Sequence, residues 1–233
     1  EAKQPEQSGI NLTDDDRLQQ MSLSANESYL YLTVQLLTEI EQESELLFIG
    51  LDTYQRNDGE YYYASDYTPT ALSGMEFVIR FEDKQTAGLY VISSYDRSQD
   101  GYTSLESYSG EYRLVAELNY GGFSTGENQF YQTGSTIYIR IPWSWLNVTD
   151  PSQKVVLNNP GELKEQAGTV NTNGILTSVM IGDRQTKDLL YIFPEKKQDP
   201  GYKVFKWSTW DTCTYNIREK DSFSLLQEYF SKK

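Results

Sequence analysis

The chain has 233 residues, no histidine and one cysteine, Cys213, with 34 acidic against 20 basic side chains and a formal charge of −14. Without imidazole there is no Ser-His-Asp or Cys-His nucleophile system, no HExxH metalloprotease helix and no zinc site built from His and Cys. One sulfur forms no intrachain disulfide, and so acidic a surface repels phosphate backbones and anionic lipid, which makes nucleic acid and membrane surfaces poor partners.

The opening residues, with Pro5 and Gly9 among polar neighbours, carry no periodicity, so 1–12 read as a linker or disordered lead-in and 13–233 as one domain. No apolar run approaches the roughly 20 residues that cross a bilayer, and no signal peptide is present. The chain reads as a mature protein or a segment of a longer one, fused to or associated with another domain.

From there the dominant pattern is short runs of period-two alternation between Gly, Asn, Asp and Ser clusters. Arg17 to Ser24, the turn Ala25-Asn26-Glu27-Ser28, and Tyr29 to Leu36 predict a hairpin. In its second arm Leu30, Leu32, Val34 and Leu36 share one face, and Tyr29, Tyr31, Thr33 and Gln35 the other. Leu46 to Thr53 is apolar enough for an interior strand buried on both sides. Met75, Phe77, Ile79 and Phe81 alternate with Glu76, Val78, Arg80 and Glu82. Further strands are predicted at Leu89 to Tyr95, Glu111 to Leu118, Thr136 to Ile141, Val155 to Leu157, Ile175 to Gly182, Leu189 to Phe193 and Tyr202 to Trp207. At the end, Asp221 or Ser222 can cap a helix whose Phe223, Leu226 and Phe230 recur at helical spacing. The expected fold is all-β, an antiparallel, jelly-roll-like β-sandwich with a short C-terminal helix.

The run Tyr29-Leu30-Tyr31-Leu32-Thr33-Val34, the block Phe48-Ile49-Gly50-Leu51-Asp52-Thr53, the strand Gly74 to Ile79 and then Ile139-Arg140-Ile141-Pro142-Trp143 occur in this order. Together, over roughly residues 17 to 146, they resemble the carbohydrate-binding modules of family nine and the related DOMON-like sandwiches. The resemblance implies glycan binding, often with structural calcium, in an extracellular or cell-surface protein of a bacterium.

Sugar recognition has requirements of its own. A pyranose offers apolar C–H faces and a rim of hydroxyls, so a site needs aromatic rings beside carboxylates, amides or arginines. The 19 tyrosines supply candidates. Tyr61, Tyr62, Tyr63 and Tyr67 lie between two predicted strands beside Asp58, Glu60 and Asp66, and their near-consecutive rings are not expected all to face inward. Tyr102, Tyr108 and Tyr120 sit in Gly- and Ser-rich stretches, and Trp207 and Trp210 bracket a short turn. Such rings also plug the ends of sandwich cores, and Trp143 and Trp145 suit core or lid. For calcium, which takes six to eight hard oxygens, the densest cluster is Asp14, Asp15 and Asp16; no other cofactor is expected. A glycosidase would need two opposed carboxylates, for which Glu76, Glu111 and Glu117 are candidates, and a structural or assembly domain binding protein is a third option. Sequons stand at Asn11, Asn26 and Asn147. Non-catalytic carbohydrate binding is the expected function.

Overall fold

The computed structural model describes residues 10–12, 16–53, 59–92, 112–124, 126–158, 168–196 and 203–210. Two antiparallel sheets face each other. One has five strands in the order β1(Ile10–Leu12), β2(Leu18–Ala25), β3(Tyr29–Leu36), β11(Thr136–Pro142), β10(Phe130–Thr133). The other has six, in the order β16(Leu189–Phe193), β15(Leu176–Asp183), β4(Glu45–Asp52), β7(Phe77–Phe81), β8(Ala87–Ile92), β9(Tyr112–Leu118). A three-stranded sheet, β12(Val148–Asp150), β13(Val155–Leu157), β14(Thr169–Asn171), and the pair β5(Glu60–Tyr62), β6(Thr70–Met75) complete it. The all-β sandwich expected from the sequence is the fold observed.

Alternation explains how the sheets pack. On β3 Leu30, Leu32, Val34 and Leu36 are buried while the intervening residues are half-exposed. They meet Ile137, Ile139 and Ile141 of β11 and, across the sandwich, Leu47, Ile49, Leu51, Phe77, Ile79 and Leu89 in the main core. Each such side chain fully removed from water contributes about 1.5–3 kcal/mol. Asn26 closes the β2–β3 hairpin. Its Oδ1 accepts from the Ser28 and Tyr29 amides at 2.9 and 2.8 Å, and its Nδ2 donates to the Tyr31 hydroxyl at 3.0 Å.

A second core lies on the outer face of the six-stranded sheet. Leu46, Phe48, Val78 and Met180 point outward there and are roofed by Tyr63, Tyr67, Ala71 and Met75. The segment 60–75 is thus a flap laid over β15, β4 and β7, which is why every residue of β4 is buried. Met75 departs from the simple alternation. A bend at Glu76 separates β6 from β7, so Met75 joins the outer core with Val78 rather than the inner one with Phe77.

Ile10–Leu12, placed in the lead-in, instead pair antiparallel with β2 as an edge strand, a run too short to show periodicity. The predicted C-terminal helix lies outside the described residues. Tyr202 to Trp207 does not form the expected strand in its described part, where Phe205 makes one isolated bridge to Ile175.

Candidate functional site

The flap decides the fate of most of the expected ligand-binding tyrosines. Tyr63 and Tyr67 are 1% and 2% exposed. The Tyr67 ring meets Phe48 edge-on at 5.2 Å and its hydroxyl donates to the Asp183 carbonyl at 2.8 Å. Tyr63 packs on the same Phe48 at 6.3 Å. Contrary to the expectation from their loop position, neither has a face free for a ligand. Small residues beneath explain it: a Cβ on Gly182 would lie 2.3 Å from the Tyr67 ring, and one on Gly50 only 2.0 Å from the Met75 sulfur. Burial, helped by Asp66, lifts the Tyr67 phenol to about 12. Tyr61 is half-buried and Tyr62 exposed, and Glu60 holds the start of the flap by accepting from both their amides at 2.8 and 3.0 Å.

Trp207 belongs elsewhere. It is 1% exposed, packs on Trp143 at 4.8 Å, and its indole donates to the Pro151 carbonyl at 2.7 Å. It plugs an end of the main core, which corrects its assignment as a stacking ring. Trp210 is half-buried against the same core, with its amide on the Ser152 carbonyl at 3.1 Å. The structure therefore does not bring the two tryptophans and the flap tyrosines together.

Among the described residues, the part of the outer face on β7, β8 and β9 is not roofed by the flap. Here Tyr90 points outward from β8, and its ring lies along the strand over Gly88: a Cβ at Gly88 would be 2.8 Å from Cε2 and 3.2 Å from Cζ. A tyrosine that leans onto a glycine two positions away is laid down on the sheet instead of standing up from it. Leu114, opposite Tyr90 on β9, also lies near Gly88, 3.0 Å from where a Cβ there would stand. Tyr90 borders two hollows. One, of about 310 Å³, is bounded by the Tyr63–Asp66 turn, Val78, Arg80 and Tyr112. The other, of about 340 Å³, is bounded by Glu82, Gln85, Thr86, Leu114, Glu117, Asn119 and Tyr120.

Polar groups around this groove are held in place. Arg80 Nε is 2.5 Å from Glu82, with its guanidinium 5.8 Å over the Phe48 ring. Arg184 reaches the same Glu82 carboxylate at 3.4 Å, so one carboxylate sits between two guanidinium groups. Asp66 pairs with Lys187 at 3.1 Å. The Tyr112 hydroxyl donates to the Tyr62 carbonyl at 2.8 Å, tying β9 to the flap. Burial, then the charges of Glu60 and Glu76, push its phenol up, so it stays a neutral donor.

No family model, curated protein or solved structure matches this chain.

Tyr90 and Arg80 were not singled out by the sequence. The available signal was Gly88-Leu89-Tyr90, a glycine two residues before a tyrosine in an alternating strand. A rival surface, the outer face of the five-stranded sheet, also carries half-buried tyrosines, whose rings pack against one another. Tyr131 and Tyr138 stack at 4.6 Å, and Arg140 lies 5.0 Å over Tyr29 and 4.6 Å over Phe123.

The candidate carboxylates fare differently. Glu76 is wholly buried and accepts from the Thr53 amide at 2.6 Å. It acts on Tyr112, whereas Glu117 is exposed five residues farther along β9, roughly 17 Å in an extended strand. Glycosidase pairs stand about 5–10 Å apart, so these two do not form one. Glu111 lies outside the described residues, as do Tyr102, Tyr108, Asp14 and Asp15. Asp16 is exposed, and among the described residues no group of three or more acidic or sulfur ligands converges on a metal position.

Proposed function

We propose that the open half of the outer face, centred on Tyr90, binds carbohydrate without transforming it. The observation that carries this reading is the Tyr90 ring laid over Gly88 between two hollows. A ring lying on a sheet offers its outward face to the C–H face of a pyranose, at little entropic cost because Gly88 and Leu114 already fix it. Hydroxyls of the same sugar find acceptors and donors in Asp66, Arg80, Asn119 and Gln85 at the margins. Kinship with the family-nine modules and DOMON-like sandwiches, and an extracellular or cell-surface setting, are part of the same proposal.

The test is a glycan array followed by calorimetric titration of the best binder, on the wild-type chain and on Tyr90→Ala. Binding that Tyr90→Ala weakens about five- to thirtyfold, while Tyr62→Ala and Trp210→Ala leave it intact, supports this site. Binding lost in Trp210→Ala and kept in Tyr90→Ala moves the site to the end of the sandwich. A blank array, with capture of a protein partner instead, replaces sugar recognition by an assembly role.

A further inference from the structure

Given that reading, on which this step rests, we infer that the groove takes an internal stretch of a linear, uncharged glycan and turns polyanionic glycans away. Two features of the site point there, its length and its charge.

The length argument starts from the two hollows. They lie on either side of Tyr90 and have similar volumes, about 310 and 340 Å³, each at the low end for small-molecule sites. A pocket for a single sugar or a chain end would close around the ring on one side. Here the ring is the middle of the site, so a sugar stacked on it has neighbours in both directions.

The charge argument concerns what faces those neighbours. The hollow toward β9 is bordered by the carboxylates of Glu82 and Glu117, and no lysine or arginine is among the described residues that line it. In the other hollow the charges are paired, Arg80 with Glu82 at 2.5 Å and Asp66 with Lys187 at 3.1 Å. A uronate or sulfate placed in the hollow toward β9 meets the Glu117 carboxylate with no lysine or arginine lining that hollow among the described residues. The formal charge of −14 on the whole chain adds repulsion at longer range. Neutral hydroxyls, by contrast, are well served: carboxylates accept from them, and Gln85, Thr86 and Asn119 do both.

Calorimetry of the full chain with two probe sets tests this. The neutral set is the cello-, xylo-, laminari- and manno-oligosaccharides, each from the monosaccharide to the hexasaccharide. The anionic set is oligogalacturonates, hyaluronan fragments and heparin fragments. At least one neutral series is expected to gain about tenfold or more in affinity from mono- to tetrasaccharide and then level off, with no measurable binding of the anionic set at low ionic strength. Glu117→Gln removes a carboxylate that borders the hollow toward β9 and is expected to admit weak binding of oligogalacturonate. A monosaccharide that binds as tightly as its tetrasaccharide, or an anionic fragment that matches the best neutral one, overturns this inference and leaves carbohydrate binding standing. Silence from every probe in both sets, with the chain folded by circular dichroism, removes the carbohydrate reading itself.

Discussion

Tyr67 and Tyr90 both lie over a glycine on the outer face of the same sheet, and they are expected to respond oppositely to truncation. Tyr67→Ala removes a ring that is 2% exposed, edge-on to Phe48 at 5.2 Å, seated on Gly182, and hydrogen-bonded to the Asp183 carbonyl at 2.8 Å. Truncating a buried aromatic costs about 3–5 kcal/mol. The flap is the roof of the second core and has little else to fill the gap, so a value near 4 kcal/mol is expected. At about 2–4 °C per kcal/mol for a domain of this size, the melting temperature falls by roughly 8–16 °C. Tyr90→Ala removes a half-exposed ring with nothing above it among the described residues, and stability changes by about 0.5 kcal/mol or less. Binding runs the other way: Tyr90→Ala loses about 1–2 kcal/mol, roughly five- to thirtyfold in Kd, and Tyr67→Ala, assayed well below its own melting point, loses almost nothing. Thermal and urea denaturation with glycan titration on the same preparations measures all four quantities. A stable Tyr67→Ala that no longer binds, or a Tyr90→Ala that melts early, would refute the division of the outer face into roofed and open halves.

Further consequences follow from the same geometry. Gly88→Ala places a methyl 2.8 Å from Tyr90 Cε2, so the ring must lift; affinity should fall about as far as in Tyr90→Ala, while denaturation midpoints change by about 1 kcal/mol. In Gly182→Ala the methyl would lie 2.3 Å from a ring that has nowhere to move, and a loss of about 1–3 kcal/mol without loss of binding is expected by urea titration. Trp207→Ala opens the end of the main core against Trp143 and Phe205 and should cost about 3–5 kcal/mol. The phenol of Tyr67 is raised by burial from 10.0 to about 12, so the unfolded chain releases that proton first. Stability is therefore full below pH 10 and declines as pH rises toward 12, and Tyr63 and Tyr112 act in the same direction. Tyr67→Phe should flatten part of that alkaline decline while lowering stability at neutral pH by about 1 kcal/mol through the lost hydrogen bond, as denaturation across a pH series will read.

The inner layer of this fold is written in period two and was readable. Leu30 to Leu36 and Ile137 to Ile141 face inward as their alternation predicts, and Leu46 to Thr53 is buried on both sides as its continuous apolarity predicts. The outer layer is not written locally. Thr70–Met75, with a serine, a glycine and no clean alternation, pairs with Glu60–Tyr62 and carries Met75 onto Gly50. That contact depends on which strand lies underneath, a fact held in sheet order rather than in neighbouring residues. The tyrosine run failed as a marker of a binding loop for the same reason: Gly50 and Gly182, more than a hundred residues apart in sequence, stand on adjacent strands and leave room for side chains from the flap.

This gives a physical rule for telling a structural ring from a binding ring on this face. Glycines at 50, 182 and 88 each leave a depression in the outer surface of the sheet, and each is filled by a large side chain, Met75, Tyr67 and Tyr90 in turn. Packing against the glycine is common to all three. What differs is the second side. Met75 and Tyr67 arrive on the flap and are enclosed between it and the sheet, so all their contacts are internal and their removal is a loss of core. Tyr90 rises from the sheet itself, outside the core the flap roofs, and the flap is tied to β9 by the Tyr112 hydroxyl on the Tyr62 carbonyl. Its inner side is as fixed as theirs, and its outer side has no such cover among the described residues. A ring held rigid from below and uncovered from above loses little freedom when a flat apolar surface settles on it, and that asymmetry, more than the number of tyrosines in the chain, is the argument for recognition at Tyr90.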